Sequence, residues 1–162
     1  MELKEIFASE RIRFVEPSET LVKDYLAMVN DVERVARLIG TRTEPLTEEQ
    51  ERRWVRRKLE EKAALYTMIE KATGDFIGNC ELMDIRDGSA ELGIAITGEK
   101  QDRGFGTEAV RALVNYGMET LGLRRVFLRV FPDNARAIRV YEKCAFREYD
   151  RTSEDVFMEI TR

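Results

Sequence analysis

The sequence predicts an α+β fold (a mixed α/β architecture) in which a central mixed, mostly antiparallel sheet of about six to seven strands is flanked by about four helices. Two observations favour this fold. Three strand-like segments between residues 65 and 96 follow one another with short turns, as in an antiparallel meander. After them, strand and helix patterns alternate, which is typical of a strand–helix–strand crossover. With 162 residues and 43% hydrophobic residues, the chain suits a single domain spanning 1–162.

One strand and three helices are expected before the meander. In chain order they are a strand at 12–15, helices at 20–29 and 32–39, a loop at 41–46 and a helix at 47–62. The strand is predicted from the alternation of apolar and charged side chains. Thr20 is the expected N-cap of the first helix. Thr47 and Gln50 form the pattern of a capping box, which predicts the start of the last helix.

The meander and the crossover are predicted from similar patterns. The expected elements are strands at 65–70, 76–85 and 90–96, a helix at 109–121, a strand at 125–131, a helix at 135–145 and a final strand within 156–161. Asp87 and Gly88 are a hairpin signal between the second and third of these strands. Apolar side chains repeat at helical spacing from Ala109 to Leu121, and Gly122 supplies a stop just past them.

The composition excludes several classes of function. A net charge of -4 argues against nucleic acid as the main partner, because phosphate binding favours a basic surface. The chain contains no histidine, which removes histidine bases, Ser–His triads and histidine metal ligands. Cys80 and Cys144 lack the spacing of a zinc site. No apolar run approaches the roughly 18 residues of a membrane span, and the first residues lack the pattern of a signal peptide. We therefore expect a cytoplasmic protein with no metal, nucleic-acid or membrane partner.

The stretch from Ile94 to Ala109 has the pattern of a strand, a polar loop and the start of a helix. The first N–H groups of a helix have no internal partner, and the helix dipole makes that end positive. Gly104 and Gly106 would let an anion approach the main chain closely, and Lys100 and Arg103 add positive charge. The loop therefore suits a phosphate or pyrophosphate group, although a simple strand-to-helix turn would use the same glycines.

The glycines of this loop also match a second pattern. Gly104-x-Gly106-x-x-Ala109 fits the dinucleotide-binding pattern G-x-G-x-x-G/A. A dinucleotide-binding fold needs several strand–helix units and an acidic residue about 20 residues further on, at the end of the next strand. Here three hairpin-linked strands come first, and the nearest such residue, Asp133, lies too far along the chain. A P-loop is excluded because no Gly-Lys-Ser/Thr follows the glycines.

Two motifs resemble those of the GCN5-related N-acetyltransferase (GNAT) superfamily, one similar to its pyrophosphate loop and one to its second acetyl-CoA segment. In chain order they are Gln101-x-x-Gly104-x-Gly106 and Asn134-x-x-Ala137-x-x-x-Tyr141-Glu142-Lys143-x-x-Phe146. The close resemblance covers roughly Glu91 to Arg147. It implies a GNAT-like fold with acetyl-CoA as co-substrate and no metal, nearest to the ribosomal-protein-alanine and polyamine N-acetyltransferases.

The resemblance assigns three groups of cofactor-binding residues. In the family, the strand before the loop splays from its neighbour, and its backbone pairs with the pantetheine arm of the cofactor. Here the corresponding strand residues are Ile94, Ala95 and Ile96. The loop residues expected to hold the pyrophosphate are Gln101, Asp102, Arg103, Gly104, Phe105, Gly106 and Thr107. The following helix would contribute Asn134, Ala137, Tyr141 and Lys143.

Two residues are the candidates for catalysis. Tyr141 lies about two turns into its helix, and the resemblance gives it the role of the general acid that protonates the departing sulfur. A core aromatic whose hydroxyl bonds to the backbone is the alternative for this residue. Glu91 begins the strand that leads to the loop and could accept a proton directly or through water. A cross-strand ion pair is the alternative for Glu91, and Glu81 and Asp84 are other candidate bases.

The expected function is acetyl transfer from acetyl-CoA to a primary amine by direct attack of the neutral amine. The acceptor would be a protein N-terminus, a polyamine or another small amine, and homodimers are common in such families. The alternative is a non-catalytic acyl-CoA-binding or sensor module with the same fold. The sequence departs from the family at Ala145, where glycine is usual, and the segment after Phe146 leaves little room for the usual long final hairpin.

Overall fold

The computed structural model of the chain describes residues 2–40 and 44–162. The strands are β1 (Glu5–Ala8), β2 (Ile12–Val15), β3 (Ala64–Glu70), β4 (Phe76–Arg86), β5 (Ser89–Ile96), β6 (Arg125–Val130), β7 (Arg147–Arg151) and β8 (Val156–Thr161). The helices are α1 (Val22–Val29), α2 (Arg37–Ile39), α3 (Glu48–Glu60), α4 (Phe105–Glu119) and α5 (Ala135–Lys143), with 3₁₀ turns at Glu19–Leu21 and Gly98–Lys100 and a π-helical turn at Val32–Ala36. None of these helices is long and apolar enough to cross a membrane. Of the loop predicted at 41–46, residues 41–43 lie outside the described residues.

The described strands form one sheet in the order β1-β2-β3-β4-β5-β6-β8-β7. Strands β1 to β5 pair antiparallel, β5 pairs parallel with β6, and β8 pairs antiparallel with both β6 and β7. The predicted mixed, mostly antiparallel sheet with flanking helices is therefore confirmed. The sheet has eight strands, more than predicted, because β1 and β7 were not expected. All five residues of β7 are exposed, so this edge strand carries no apolar alternation that would reveal it in the sequence.

The two predicted helix starts have different outcomes. The Thr47 hydroxyl accepts a hydrogen bond from the Gln50 N–H at 3.2 Å, and the Thr47 N–H donates to Gln50 Oε1 at 2.8 Å. The capping box is thus confirmed. The N-cap at Thr20 was wrong, because the Ser18 side chain accepts from the Thr20 N–H at 3.2 Å and caps the 3₁₀ turn that precedes α1.

Separate hydrophobic clusters hold helices against the two faces of the sheet. The larger cluster joins the buried sides of α4 and α5 to side chains of β2 to β6 and β8. In α4 the buried residues repeat from Phe105 through Ala109 and Leu113 to Gly117, which confirms the predicted helical stripe. The smaller cluster joins α1 and α3 to Phe76 of β4. This packing fixes the end of β5 and the start of α4, which are the two ends of the predicted phosphate loop.

Helix α5 ends at a left-handed residue that is not glycine. Ala145 has a φ of 71°, and its N–H donates to the Glu142 carbonyl at 3.0 Å. The Phe146 N–H donates to the Tyr141 carbonyl, also at 3.0 Å, which completes a Schellman motif. The helix therefore stops before the predicted residue 145, and Phe146 is buried next to Tyr141, with ring centroids 5.8 Å apart. The short segment that follows forms a hairpin of β7 and β8, with strands of 5 and 6 residues.

Candidate active site

A cleft opens where β5 and β6 separate. The two strands pair only through Ser89–Glu91 on β5 and Arg125–Phe127 on β6. Strand β5 continues to Ile96 and β6 to Val130 without a further pair between them in the described residues. A cavity of about 890 Å³ lies at this separation and is lined by residues of both strands. Because the β6-facing side of residues 92–96 has no partner strand, its backbone groups are available to a bound molecule.

The start of α4 forms one wall of the cleft. Gly104 is the N-cap residue, has a left-handed φ of 83°, and gives the helix no side-chain cap. Gly104, Gly106 and Thr107 all line the cavity. A Cβ atom on Gly106 would come no closer than 3.9 Å to Val140, so the space over this residue is open. An uncapped helix N-terminus beside open space offers main-chain N–H groups and a positive dipole to an anion.

The loop before α4 is held by Gln101. The Gln101 side chain donates to the carbonyls of Arg34 at 2.9 Å and Ile96 at 3.0 Å, and accepts from Arg136 Nη1 at 2.6 Å. Arg136 Nη1 also lies 3.3 Å from the Asp102 carboxylate. The Gln101 side chain thus serves to join three segments of the chain, and the loop conformation depends on it.

We expected Lys100 to add a free positive charge to the loop. In the structure this charge is paired. Its Nζ donates to Glu70 Oε1 at 2.7 Å and to Asp75 Oδ2 at 2.8 Å, and the residue is only 9% exposed. These hydrogen bonds hold the pKa of both carboxyl groups below their usual range and raise the pKa of Lys100. Because its charge is neutralised within the protein, Lys100 pins the loop to the β3–β4 turn rather than attracting an anion.

On its other side, the start of α4 is held by Arg11. The Glu108 carboxylate accepts hydrogen bonds from the Ser9 hydroxyl at 2.5 Å and from the Arg11 backbone and Nε at 2.8 and 2.7 Å. Although burial raises the pKa of Glu108, these hydrogen bonds hold it below its ordinary value. Arg11 Nη1 donates to the Arg103 carbonyl at 3.1 Å, and its guanidinium lies 4.3 Å from the centre of the Phe105 ring. The side chain of Phe105 is therefore a core group next to Arg11, not a wall of the cleft.

Tyr141 lies at the bottom of the cleft on α5. Asn134 caps this helix, accepting a hydrogen bond from the Ala137 N–H at 3.3 Å. Tyr141 is 8% exposed, and its hydroxyl has no hydrogen-bond partner among the described residues. No described side-chain polar atom is both fully buried and unpartnered, so this hydroxyl keeps some accessible surface, and its residue lines the cavity. Burial raises the pKa of Tyr141 to about 12, with a smaller contribution from Cys144. The phenol is consequently protonated at neutral pH, and the backbone hydrogen bond of the alternative interpretation is not present.

Glu91 lines the cleft where β5 and β6 begin to separate. Its Oε2 lies 3.6 Å from Nε of Arg129, so the cross-strand ion pair that the sequence analysis weighed is present, although Arg129 is largely exposed. Glu81 pairs with Lys58 at 3.4 Å instead. Neither Glu81 nor Asp84 is among the residues that line the cavity. Of these three carboxylates, Glu91 alone is placed to meet a molecule in the cleft.

The cavity brings together most of the site residues expected from the sequence. Those that line it are Glu91, Ile94, Ala95, Ile96, Gln101, Asp102, Gly104, Gly106, Thr107, Asn134, Ala137, Tyr141 and Lys143. Arg103 and Phe105 do not. Within the described residues, no group of three or more His, Cys, Asp or Glu side chains could hold a metal ion.

Several parts of the cavity wall were not predicted from the sequence. Three of them are the wall residues of the segment 34–40, which are Arg34, Val35, Leu38, Ile39 and Gly40, the basic residues Arg136 and Arg139 of α5, and Glu154 and Asp155 of the β7–β8 turn. Arg136, Arg139 and Lys143 are spaced by three and four residues, so helical periodicity could have placed them on one face. The other two segments are remote in sequence from both motifs and carry no signal of their own.

Comparisons with known proteins identify the family of the chain. Residues 11–147 match the family model described as an acetyltransferase (GNAT) domain. The chain is 32% identical to the uncharacterised N-acetyltransferase p20 of Bacillus licheniformis over 111 residues, which are 62% of each chain. It is also 32% identical to spermidine N(1)-acetyltransferase of Vibrio cholerae over 93 residues, which are 56% of this chain and 54% of the relative. The matches thus span less than two thirds of the length of either curated relative.

A solved structure extends the likeness to the whole fold. The Vibrio cholerae spermidine N-acetyltransferase, crystallised with CoA and spermine, superposes with a TM-score of 0.77 over 94% of this chain and 96% of that one, at 20% identity. At that identity the superposition establishes the fold alone. Together with the family match over residues 11–147, it leads to one conclusion: this chain belongs to the GNAT acetyltransferase domain family.

Proposed function

We propose that this protein is an acetyl-CoA-dependent N-acetyltransferase that acts on a primary amine by direct attack, without a covalent enzyme intermediate. One observation carries the proposal. The unpaired edge of β5, the uncapped N-terminus of α4 and the Tyr141 hydroxyl all line the same cavity. An acyl-CoA has three matching parts: a pantetheine arm with amide groups, a pyrophosphate and a thioester sulfur.

The residues present fit this cofactor. The free edge of residues 92–96 can pair with the amides of the pantetheine arm, as an added strand would. The main-chain N–H groups of Gly104 to Thr107 can hold the pyrophosphate, and the open space over Gly106 leaves room for it. Asn134 uses its Oδ1 as the cap of α5, so its Nδ2 is the atom we assign to the cofactor arm. When bound, acetyl-CoA supplies an acetyl group that is already activated as a thioester.

The chain itself supplies a proton acceptor for the ammonium group and a proton donor for the departing sulfur, and the second proton, which the nitrogen loses as the amide forms, restores the donor. The amine must be neutral to attack, although a free alkylamine with a pKa of about 10.4 is charged at neutral pH. We assign Glu91 as the acceptor of that proton, directly or through water, because it lines the cleft beside the β5–β6 separation. We assign Tyr141 as the donor to the departing sulfur, because its buried phenol keeps its proton at neutral pH.

The acceptor end of the cleft favours a cationic amine. Among the charged residues that line the cavity, we assign the carboxylates of Glu91, Glu154 and Asp155 to the acceptor; Arg129 lies beside Glu91, and Arg136, Arg139 and Lys143 of α5 also line the cavity. A protonated amine would therefore meet carboxylates before it loses its proton. Because one relative is named for spermidine, polyamines are the first acceptors to test, ahead of protein N-termini and other small amines.

Two measurements test the proposal. CoA or acetyl-CoA at 100 times its dissociation constant should stabilise the protein by about 2.7 kcal/mol, whereas NAD and ATP at equal concentration should do much less. Acetyl-CoA with a panel of polyamines, peptides and small amines should then release free CoA thiol. Stabilisation by NAD equal to that by CoA would favour dinucleotide binding. Binding of CoA with no thiol released by any amine would favour the non-catalytic acyl-CoA-binding module.

A further inference from the structure

Arg34 lies in the π-helical turn Val32–Ala36, far in sequence from both acetyl-CoA motifs, and its side chain reaches the loop before α4. The Asp31 carboxylate accepts hydrogen bonds from the Arg34 backbone N–H at 3.1 Å and from its Nε at 2.7 Å. On the other side of the guanidinium, Nη2 donates to Glu99 Oε1 at 3.1 Å. The guanidinium is thereby fixed between its own turn and the loop.

The guanidinium of Arg34 packs closely against the backbone of Gly98. A Cβ atom on Gly98 would collide with Cζ and Nε of Arg34. The backbone of Gly98 does not adopt the left-handed conformation that would itself demand glycine. The absence of a side chain at this position is therefore explained by the close approach of Arg34.

The main chain of Arg34 makes a second connection to the same loop. Its carbonyl accepts the hydrogen bond from Gln101 Nε2 at 2.9 Å, and Gln101 in turn binds the Ile96 carbonyl and Arg136. Arg34 thus touches both ends of the segment 98–101, which leads directly into the start of α4. Arg34 and the residues that follow it, Val35 and 38–40, also line the cavity.

We infer that Arg34 is a positioning residue, which sets the distance between the pyrophosphate loop and the 34–40 wall of the cleft. Its Nε and Nη2 are hydrogen-bonded to Asp31 and Glu99, whose carboxylates offset its charge, so we assign its effect on the cofactor to the loop and not to a charge on the phosphates. The inference rests on the proposed acetyl-CoA site. Exposed ion pairs contribute little to global stability. The effect should therefore appear in ligand affinity more than in thermal stability.

The test is a double-mutant cycle with CoA as the probe. Isothermal titration gives the Kd of CoA for wild type, Arg34→Ala, Gly98→Ala and the double variant, and thermal melting is recorded for each. We expect each single change to weaken CoA binding roughly tenfold, and the double variant to be no weaker than either one, because both break the same contact. Arg37→Ala is the matched control. Within the described part of the chain, its Nε donates to the Glu33 carbonyl of its own helical segment and it does not line the cavity, so we expect a wild-type Kd.

Arg34→Lys separates positioning from direct charge. It keeps the positive charge but loses the planar fork, so positioning predicts a loss similar to that of Arg34→Ala. Wild-type affinity for CoA in Arg34→Lys or in Gly98→Ala would overturn the inference. So would a double variant whose loss of CoA binding free energy equals the sum of the two single losses. A lowered melting temperature with an unchanged Kd would also count against it. If wild-type protein fails to bind CoA at all, the proposed function itself is refuted before any variant is compared.

Discussion

Replacing Tyr141 with phenylalanine tests the proposed chemistry most directly. The change keeps the buried ring and its contact with Phe146 at 5.8 Å between centroids, and removes only the hydroxyl. Since that hydroxyl has no protein partner among the described residues, its loss leaves no unpaired group behind. We expect the free energy of unfolding to change by less than about 0.5 kcal/mol. Turnover should fall by about 10²–10⁴-fold, the usual contribution of a general acid, while CoA still binds.

Tyr25→Phe is the matched control, because Tyr25 presents the opposite case. Tyr25 is fully buried in the smaller cluster, and its hydroxyl contacts the Ser18 N–H at 3.1 Å and the Thr67 hydroxyl at 2.7 Å. Removing it leaves both of these groups short of a partner, which costs about 1–3 kcal/mol of unfolding free energy. Tyr25 does not line the cavity, so turnover of the folded variant should match wild type.

The assay combines three measurements on one preparation of each variant: thermal stability, CoA affinity, and thiol release with an acceptor amine identified by the screen. Tyr141→Phe should lower turnover and leave stability nearly unchanged, whereas Tyr25→Phe should lower stability and leave turnover unchanged. A Tyr141→Phe enzyme that retains half or more of its turnover but melts clearly earlier would refute the assignment of Tyr141 as general acid.

Three further predictions concern the loop, the end of α5 and alkaline pH. Gly106→Ala should fold normally, because its Cβ meets only Val140 at 3.9 Å, yet bind CoA much more weakly by titration calorimetry; unchanged affinity would mean that the loop is only a turn. Ala145→Gly should raise the unfolding free energy by about 1 kcal/mol in urea titrations by relieving the left-handed φ of 71°, whereas Ala112→Gly inside α4 should lower it. Because burial raises the pKa of Tyr141 to about 12, the folded state keeps a proton that the unfolded chain loses near pH 10. From this group, stability should be constant below about pH 10 and fall by about 1.4 kcal/mol per unit between about pH 10 and about pH 12, a slope that Tyr141→Phe should lack.

The parts of the fold that were predictable from sequence have local causes. The capping box at Thr47 and the helical stripe of α4 depend on neighbours three and four residues apart, so the sequence displays them directly. Strand β7 is different, because an exposed edge strand pairs through its backbone and places no constraint on side-chain pattern. The N-cap at Ser18 was missed because Thr20, two residues later, is also a favoured cap former and lies directly before the apolar helical pattern.

The residues of the candidate site also divide into those that local sequence patterns predict and those that only the folded chain brings together. The two motifs supply most of the residues that line the cleft, since they lie on the elements that build it. The role of Lys100 could not be read from the loop, because Glu70 and Asp75, which neutralise it, are 30 and 25 residues away. Arg34 is further still from Gln101, at 67 residues, and only the folded chain brings them together.

The short pairing of β5 with β6 also has a mechanical consequence. Among the described residues, the strands of the two halves of the sheet, β1–β5 and β6–β8–β7, pair only along Ser89–Glu91 and Arg125–Phe127. Other links between the halves include hydrogen bonds from Arg124 and Arg125 to the Gly88 carbonyl, the Glu91–Arg129 ion pair, and packing against α4 and α5. A ligand whose amides pair with residues 92–96 would supply part of the hydrogen bonding that β5 and β6 lack there, and would connect the two halves of the sheet. Under the proposed function, the free protein is then the more compliant form, and each turnover would alternately stiffen and release the sheet.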